Sequence, residues 1–256
     1  MTLLEASHLG IRFGGLLALE DFSLSVPEDG LYGLIGPNGA GKTTVFNIIT
    51  GFLRPSEGRL AFNGQSILGM PPHRITSLGI ARTFQNIRLF SGLSVLDNVL
   101  AGFHCRDRAT WMEAVARLPR HRREERQNQA EGLALLHEVG LTEVAAEEAG
   151  KLPYGSQRRL EIARALATRP RLLLLDEPAA GLNPQETQDL MAFLKEIKER
   201  RHLTLLVIEH NLRLVMGICQ HLTVLDYGLS IAAGPPAEVR ENVAVIKAYL
   251  GGGPEA

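Results

Sequence analysis

Nine consecutive residues, Gly36-Pro-Asn-Gly-Ala-Gly-Lys-Thr-Thr44, combine three glycines, one lysine and two hydroxyls in a spacing suited to a chain of phosphates. Through Thr43 they fit G-x-x-x-x-G-K-[ST] in full. Gly36, Gly39 and Gly41 let the backbone curl so that successive N–H groups face an anion with no Cβ in the way. Pro37, Asn38 and Ala40 complete the turn. A helix starting at Lys42 would aim its positive end at the same anion. Lys42 supplies a compact cation for β- and γ-phosphates, and Thr43 a hydroxyl for Mg²⁺.

A second constellation, Leu172-Leu-Leu-Leu-Asp176-Glu177, is an apolar run ended by two acids. A buried parallel strand reads as such a run, and ligands of open α/β sheets bind at its carboxyl end. Successive strand residues point to opposite sides, so the two acids are expected to divide the work. Asp176 suits the Mg²⁺ shell, and Glu177 suits orienting and deprotonating a water. A phosphate loop followed by an acid-ended strand implies nucleoside triphosphate hydrolysis.

The elements that must position these groups follow from patterning. Leu3 to about Val26 reads as strands of an antiparallel sheet, and Leu31–Ile35 as a strand entering the glycine loop. Lys42–Thr50 carries helical spacing through Val45, Ile48 and Ile49. Gly58–Ile67 reads as a hairpin arm with Asn63-Gly64 at the turn. From about Gln85 to Leu152 strand signals vanish, and Val95–His104, Trp111–Leu118 and Arg123–Val139 read as helices. After Arg158 the order is helix, strand (Leu172–Leu175), helix (Gln185–Arg200), strand (Leu203–Ile208), helix (Leu212–Cys219). That alternation predicts a parallel sheet with crossover helices. The helical block is expected to be a subdomain inserted into an α/β core, and Gly251–Ala256 a frayed tail.

Bulk properties narrow the class. The 256 residues are 45% hydrophobic and 21% charged, with net charge −1, so no global field draws the chain to nucleic acid or an anionic membrane. Arg117–Arg126 holds five arginines but no aromatics, and reads as a solvated helix face rather than a nucleic-acid patch. Cys105 and Cys219 have no metal or redox spacing and read as buried thiols in a reducing compartment. No basic-then-apolar leader opens the sequence, and no apolar run approaches the roughly 18 residues of a membrane span. The expectation is a soluble, cytoplasmic protein.

Six ordered stretches resemble the ABC ATPases, specifically the ATPase subunits of Liv-type branched-chain amino acid importers: Gly36–Thr44, Ala81-Arg-Thr-Phe-Gln-Asn86, Leu152-Pro-Tyr-Gly-Ser-Gln-Arg-Arg-Leu-Glu-Ile-Ala-Arg164, Asp176-Glu-Pro178, Ala180-Gly-Leu-Asn-Pro184 and Ile208-Glu-His210. The resemblance runs from about Leu3 to Leu250. It implies a P-loop core with a mainly parallel sheet, an N-terminal antiparallel β subdomain and an inserted α-helical subdomain. The core would take residues 1–86 and 165–256, and the helical subdomain 87–164. It also implies an ATP- and Mg²⁺-dependent ATPase in which Gly36 to Thr44 bind ATP, Gln85 touches Mg²⁺ and the attacking water and hinges the helical subdomain, and His210 contacts the γ-phosphate. Phe13 falls where the family stacks an aromatic on adenine, although a core aromatic fits the position as well.

Leu152, Pro153, Tyr154, Gly155, Ser156 and Gln157 match the signature that caps the nucleotide of the opposite protomer. Pro153 stands where serine is usual and Ser156 where glutamine is usual; Tyr154 is typical of the Liv-type branch. Ser156 is expected to cap the nearby helix. Gly181, Leu182 and Asn183 match the D-loop, with Asn183 where many relatives have aspartate. The partners implied are transmembrane permease subunits, a second ATPase (a homodimer or a heterodimer with a paralogue) and, indirectly, an extracytoplasmic solute-binding protein. The site of action would be the inner face of the cell membrane, with no nucleic acid involved. Importers of urea or amides, a lipopolysaccharide exporter, and a soluble ABC ATPase outside transport are the alternatives.

Overall fold

The computed structural model describes residues 1–106, 119–210 and 212–250. The helix expected over Trp111–Leu118 and the tail from Gly251 lie outside them.

Two sheets organise the chain. β1 (Thr2–Phe13), β2 (Leu16–Pro27), β4 (Glu57–Phe62) and β5 (Gln65–Ser66) form an antiparallel sheet in the order β2-β1-β4-β5. The expected turn at Asn63-Gly64 is present: both residues have positive φ, 50° and 75°, as a two-residue hairpin turn requires. The second sheet runs β10 (Leu229–Gly234), β9 (His221–Asp226), β3 (Leu31–Ile35), β8 (Thr204–Glu209), β7 (Leu172–Asp176), β6 (Ile80–Arg82). It is parallel from β9 to β6, and β10 returns antiparallel at its edge.

The helices are α1 (Lys42–Ile49), α2 (Pro72–Leu78), α3 (Val95–Phe103), α4 (Pro119–Glu138), α5 (Tyr154–Ala167), α6 (Pro184–Arg201), α7 (Leu212–Ile218), α8 (Pro236–Glu241) and α9 (Val243–Leu250). β7 and β8 are buried along their whole length, and alternation divides their side chains between two cores. Leu172, Leu174, Leu206 and Ile208 pack with α1 and the antiparallel sheet. Leu173, Leu175, Leu205 and Val207 face the opposite way, toward the core built from α3, α4, α5 and α6. The parallel sheet is therefore a middle layer, fixed on both faces, and its carboxyl edge is held rigidly.

Segments outside the sequence-based reading are β6, α2 and everything after residue 220: β9, β10, α8 and α9. β6 is three residues long, too short for any period to register. Of the cysteines, Cys219 is buried, its thiol pushed up to about 12 by that burial, whereas Cys105 is only half-buried. No helix among the described residues is long and apolar enough to cross a membrane.

Candidate functional site

The glycine loop begins where β3 stops. Gly36 has φ +152°, and a Cβ there would lie 2.0 Å from the Leu225 carbonyl oxygen, so only glycine fits. Gly41 has φ +105° and caps α1 in the left-handed region with no side-chain hydrogen bond. The first amides of α1 are therefore not taken by a side-chain cap, the arrangement an anion-binding helix terminus needs. Gly39 and Asn38 are exposed at the crest, and Thr43 is exposed in the first helical turn, next to half-buried Thr44. Lys42 is only 6% exposed, and its Nζ donates to the carbonyls of Gly36 (2.7 Å) and Pro37 (2.8 Å). Burial lowers its pKa, while the carboxylates of Glu177 and Asp176 act in the opposite sense.

Asp176 closes β7 and is 3% exposed. Its Oδ2 accepts from Arg82 at 2.7 Å, and the same guanidinium donates to Asn47 Oδ1 at 2.7 Å, joining β7 to α1 through β6. Glu177 departs from the expectation that both acids lie on one extended strand. The strand ends at Asp176, and Glu177 turns into the left-handed region at φ +46°, with its N–H donated to the Ile208 carbonyl at 2.9 Å. The two acids separate because the backbone bends, not because a strand alternates. A non-glycine residue held there stores strain of the kind concentrated at functional sites.

Two further side chains converge on one oxygen of Glu177. Gln85 Nε2 donates to Oε2 at 3.0 Å, and His210 Nδ1 lies 3.7 Å from the same atom. Glu209, 1% exposed, sits behind them and accepts from the Ala179 N–H at 3.0 Å; burial raises its pKa. Thr43, Gln85 and Asp176 line one cavity of about 400 Å³ together with Arg82 and Asn47. One carboxylate, one hydroxyl and one amide are hard oxygen donors that fit Mg²⁺ shared with phosphate. No group of three or more His, Cys, Asp or Glu that could hold a metal ion occurs among the described residues.

The signature residues lie apart from this cavity. Pro153, Gly155 and Ser156 line a separate cleft of about 160 Å³ with Leu182 and Glu186. Pro153 is the residue before α5, with no side-chain cap, and Gln157 Nε2 ties back to the Leu152 carbonyl at 2.8 Å. Ser156 does not cap the helix as expected: α5 already starts at Tyr154, so Ser156 sits inside its first turn. The Tyr154 ring packs on Gly181, where a Cβ would lie 3.0 Å from it. Asn183 forms a full capping box at the start of α6, accepting from the Glu186 N–H while the Glu186 carboxylate accepts from the Asn183 N–H, each at 2.9 Å. Phe13 ends β1 beside the hairpin turn and is 45% exposed, which removes the core-aromatic alternative.

Sequence reasoning quoted Arg82, Arg158, Glu161 and Glu209 inside motifs without giving them a role. The available signal was a charged residue embedded in an apolar run, as in Leu160-Glu-Ile-Ala163 and Leu206-Val-Ile-Glu209.

Residues 19–180 match the family described as ABC transporter. The chain belongs to that family, as one of its ATP-binding cassettes. Residues 231–255, which include α8 and α9, match a second description, Branched-chain amino acid ATP-binding cassette transporter. The chain is 48% identical over 249 residues to the high-affinity branched-chain amino acid transport ATP-binding protein BraF of Pseudomonas aeruginosa, covering 97% of this chain and 98% of that one. It is 43% identical over 249 residues to LivG of Escherichia coli, with the same coverage of 97% and 98%. At 32% identity over 251 residues and 98% of each chain it also matches LptB of Haemophilus influenzae, a lipopolysaccharide export ATP-binding protein. Among solved structures, the ADP conformation of the ATP-binding cassette MJ1267 superposes with TM-score 0.84 at 31% identity, over 98% of this chain and 99% of that one.

Proposed function

We propose that the chain is the ATP-hydrolysing subunit of an importer for branched-chain amino acids. The convergence of Gln85 and His210 on one oxygen of Glu177, beside Asp176 and Lys42, carries the catalytic part of the reading. Near-full-length likeness to BraF and LivG supports the cargo.

In this reading the loop Gly36–Thr44 wraps the phosphates, and Lys42 moves from the Gly36 and Pro37 carbonyls onto the β- and γ-phosphates. Phe13 stacks on adenine. Asp176, Thr43 and Gln85 hold Mg²⁺, which neutralises phosphate charge when bound. Glu177 orients a water and takes its proton as the water oxygen attacks the γ-phosphorus; the bond to the β-phosphate oxygen breaks, leaving ADP and phosphate. His210 holds the γ-phosphate, and Gln85 aligns the water with Glu177. The signature, Leu152–Gln157, and the D-loop, Gly181–Asn183, serve the nucleotide of a second ATPase, a copy of this chain or a paralogue, arranged head to tail.

The partners that follow are transmembrane permease subunits, with the chain peripheral on the inner membrane face, and indirectly a solute-binding protein. Residues 1–86 and 165–256 act as the core and 87–164 as the helical subdomain, a cut that falls within α5 (Tyr154–Ala167). An exposed Phe90, with Arg164 over its ring, borders a cavity of about 320 Å³ walled by α2, β6, α3 and α5 and offers a mixed apolar and charged seat for a permease segment.

The test is purification of this chain with its membrane partners, followed by leucine uptake into proteoliposomes. Uptake that needs ATP and disappears with Glu177→Gln is expected. Leucine uptake indifferent to ATP, or recovery of the chain without any membrane subunit, would overturn the assignment.

A further inference from the structure

Arg158 and Glu161 are buried within α5 at 0% and 2% exposure, and they pair at 2.9 Å. A buried ion pair contributes little net stability, because desolvation offsets the attraction; its best-attested use is to fix register. What this pair registers is one short stretch of backbone on another element. Arg158 donates from NH1 to the Phe84 carbonyl (2.7 Å) and from NH2 to the Gln85 carbonyl (2.9 Å). Glu161 Oε1 accepts from the N–H groups of Phe84 (3.4 Å) and Arg88 (3.3 Å).

The chain changes hands at one peptide. The Thr83 N–H still donates to the Leu174 carbonyl on β7, at 2.9 Å. From Phe84 on, backbone groups bond instead to Arg158 and Glu161 on α5. The core keeps contact with this stretch through side chains: Gln85 with Glu177, and the Phe84 ring with Arg82 and Phe52. Ring contacts of that kind are less directional than charge-assisted hydrogen bonds and tolerate sliding. The same helix starts with the signature, and Arg158 NH2 lies 3.3 Å from the Tyr154 hydroxyl.

The family resemblance already makes Gln85 the hinge of the helical subdomain; we propose that the Arg158–Glu161 pair is what holds residues 84–88 to α5 as one body, so that the hinge falls between Thr83 and Phe84. Displacement of α5 then draws Gln85 off Glu177. One rigid helix thereby links the water-orienting contact of its own site to the signature that serves the opposite one. Arg158 and Glu161 are positioning residues in this scheme, acting only through Gln85. The inference rests on the reading of Gln85 and Glu177 given above.

Paired spin labels separate the two bodies. In a Glu177→Gln, Cys105→Ser background, one pair joins Asn86→Cys to Glu20→Cys, and the other joins Ala134→Cys on α4 to the same Glu20→Cys. On adding ATP and Mg²⁺, both distances are expected to change together. With Arg158→Met and Glu161→Leu, an apolar pair that leaves no lone buried charge, the Ala134 distance should still change while the Asn86 distance no longer follows. An Asn86 distance that keeps step in that variant, or that stays still in the parent while Ala134 moves, would overturn the proposal. Should the double variant not fold, Arg158→Lys keeps the charge but loses the fork. It is expected to lower kcat about tenfold with KM for ATP unchanged, and an unchanged kcat counts against the clamp. Gln85→Ala with undiminished turnover would remove the reading of Gln85 while leaving the distance result standing, so the two failures are distinguishable.

Discussion

The glycine loop and the signature both present a helix N-terminus with no side-chain cap, at α1 and at α5. α6, a few residues beyond Asp176 and Glu177, carries a complete capping box instead. The capping box occupies the Asn183 and Glu186 amides, whereas α1 and α5, like the short α2 and α8, have no side-chain cap on theirs. Their glycines differ in kind. Gly36 and Gly41 lie at positive φ, and a Cβ at either would strike backbone oxygen, 2.0 Å from Leu225 and 2.7 Å from Ala18. Gly155 does not lie at positive φ, and its Cβ would meet only side chains, Glu186 at 3.4 Å and Leu182 at 3.7 Å, both ordinary contacts. The first region needs glycine for its own fold. Nothing within the protomer demands glycine at the second, so the requirement belongs to whatever approaches it.

The effects expected from this contrast run from large to small. Glu177→Gln should slow hydrolysis on the order of a thousandfold while leaving the glycine loop able to bind, giving an ATP-held dimer in size-exclusion chromatography. A persistent monomer would mean that the two regions do not meet across copies. Gly36→Ala should cost about 3 kcal/mol in denaturant unfolding, from left-handed strain plus the clash, and abolish nucleotide binding by calorimetry. Gly155→Ala should change stability by less than about 0.5 kcal/mol. Its turnover should nevertheless fall on the order of a hundredfold, through displacement of a second copy's nucleotide. A stable, fully active Gly155→Ala enzyme would erase the distinction between the two glycines.

Two smaller effects sharpen it. Asn183→Ala should cost about 1 kcal/mol by removing the capping box, whereas Asn183→Asp, which caps equally well, should be nearly neutral in thermal unfolding. Pro153→Ser should leave stability within about 0.5 kcal/mol and leave or raise ATPase activity. A collapse in activity would show that the proline is required in its own right.

Legibility in the sequence followed the strength of each local signal. Leu31–Ile35, the helix from Lys42 and the Asn63-Gly64 turn emerged as read, because short-range sterics and period determine them. β6 and the returns after residue 220 were missed, since short segments stabilised by neighbours carry no period of their own. Ser156 was misassigned as a cap because the helix starts three residues earlier than that role requires, with Pro153 at the cap position, and element boundaries are the least legible feature of a sequence. Asn183, noted only as a departure from aspartate, gained a reason once its capping partner was visible.

By itself the sequence determined the chemistry. A glycine loop ending in Lys42 and Thr43, and an apolar run ending in two acids, can be read without coordinates because those residue types and spacings are what phosphate and water activation require. Only the tertiary structure decided how the parts meet. Glu177 takes its place by leaving the strand at φ +46°, Arg82 joins Asp176 to α1, and Arg158 with Glu161 grips residues 84–88 from more than 70 positions away. Such contacts depend on which faces of the middle sheet receive which helices, and on where a buried charge finds its partner. Neither leaves a periodic trace in the chain.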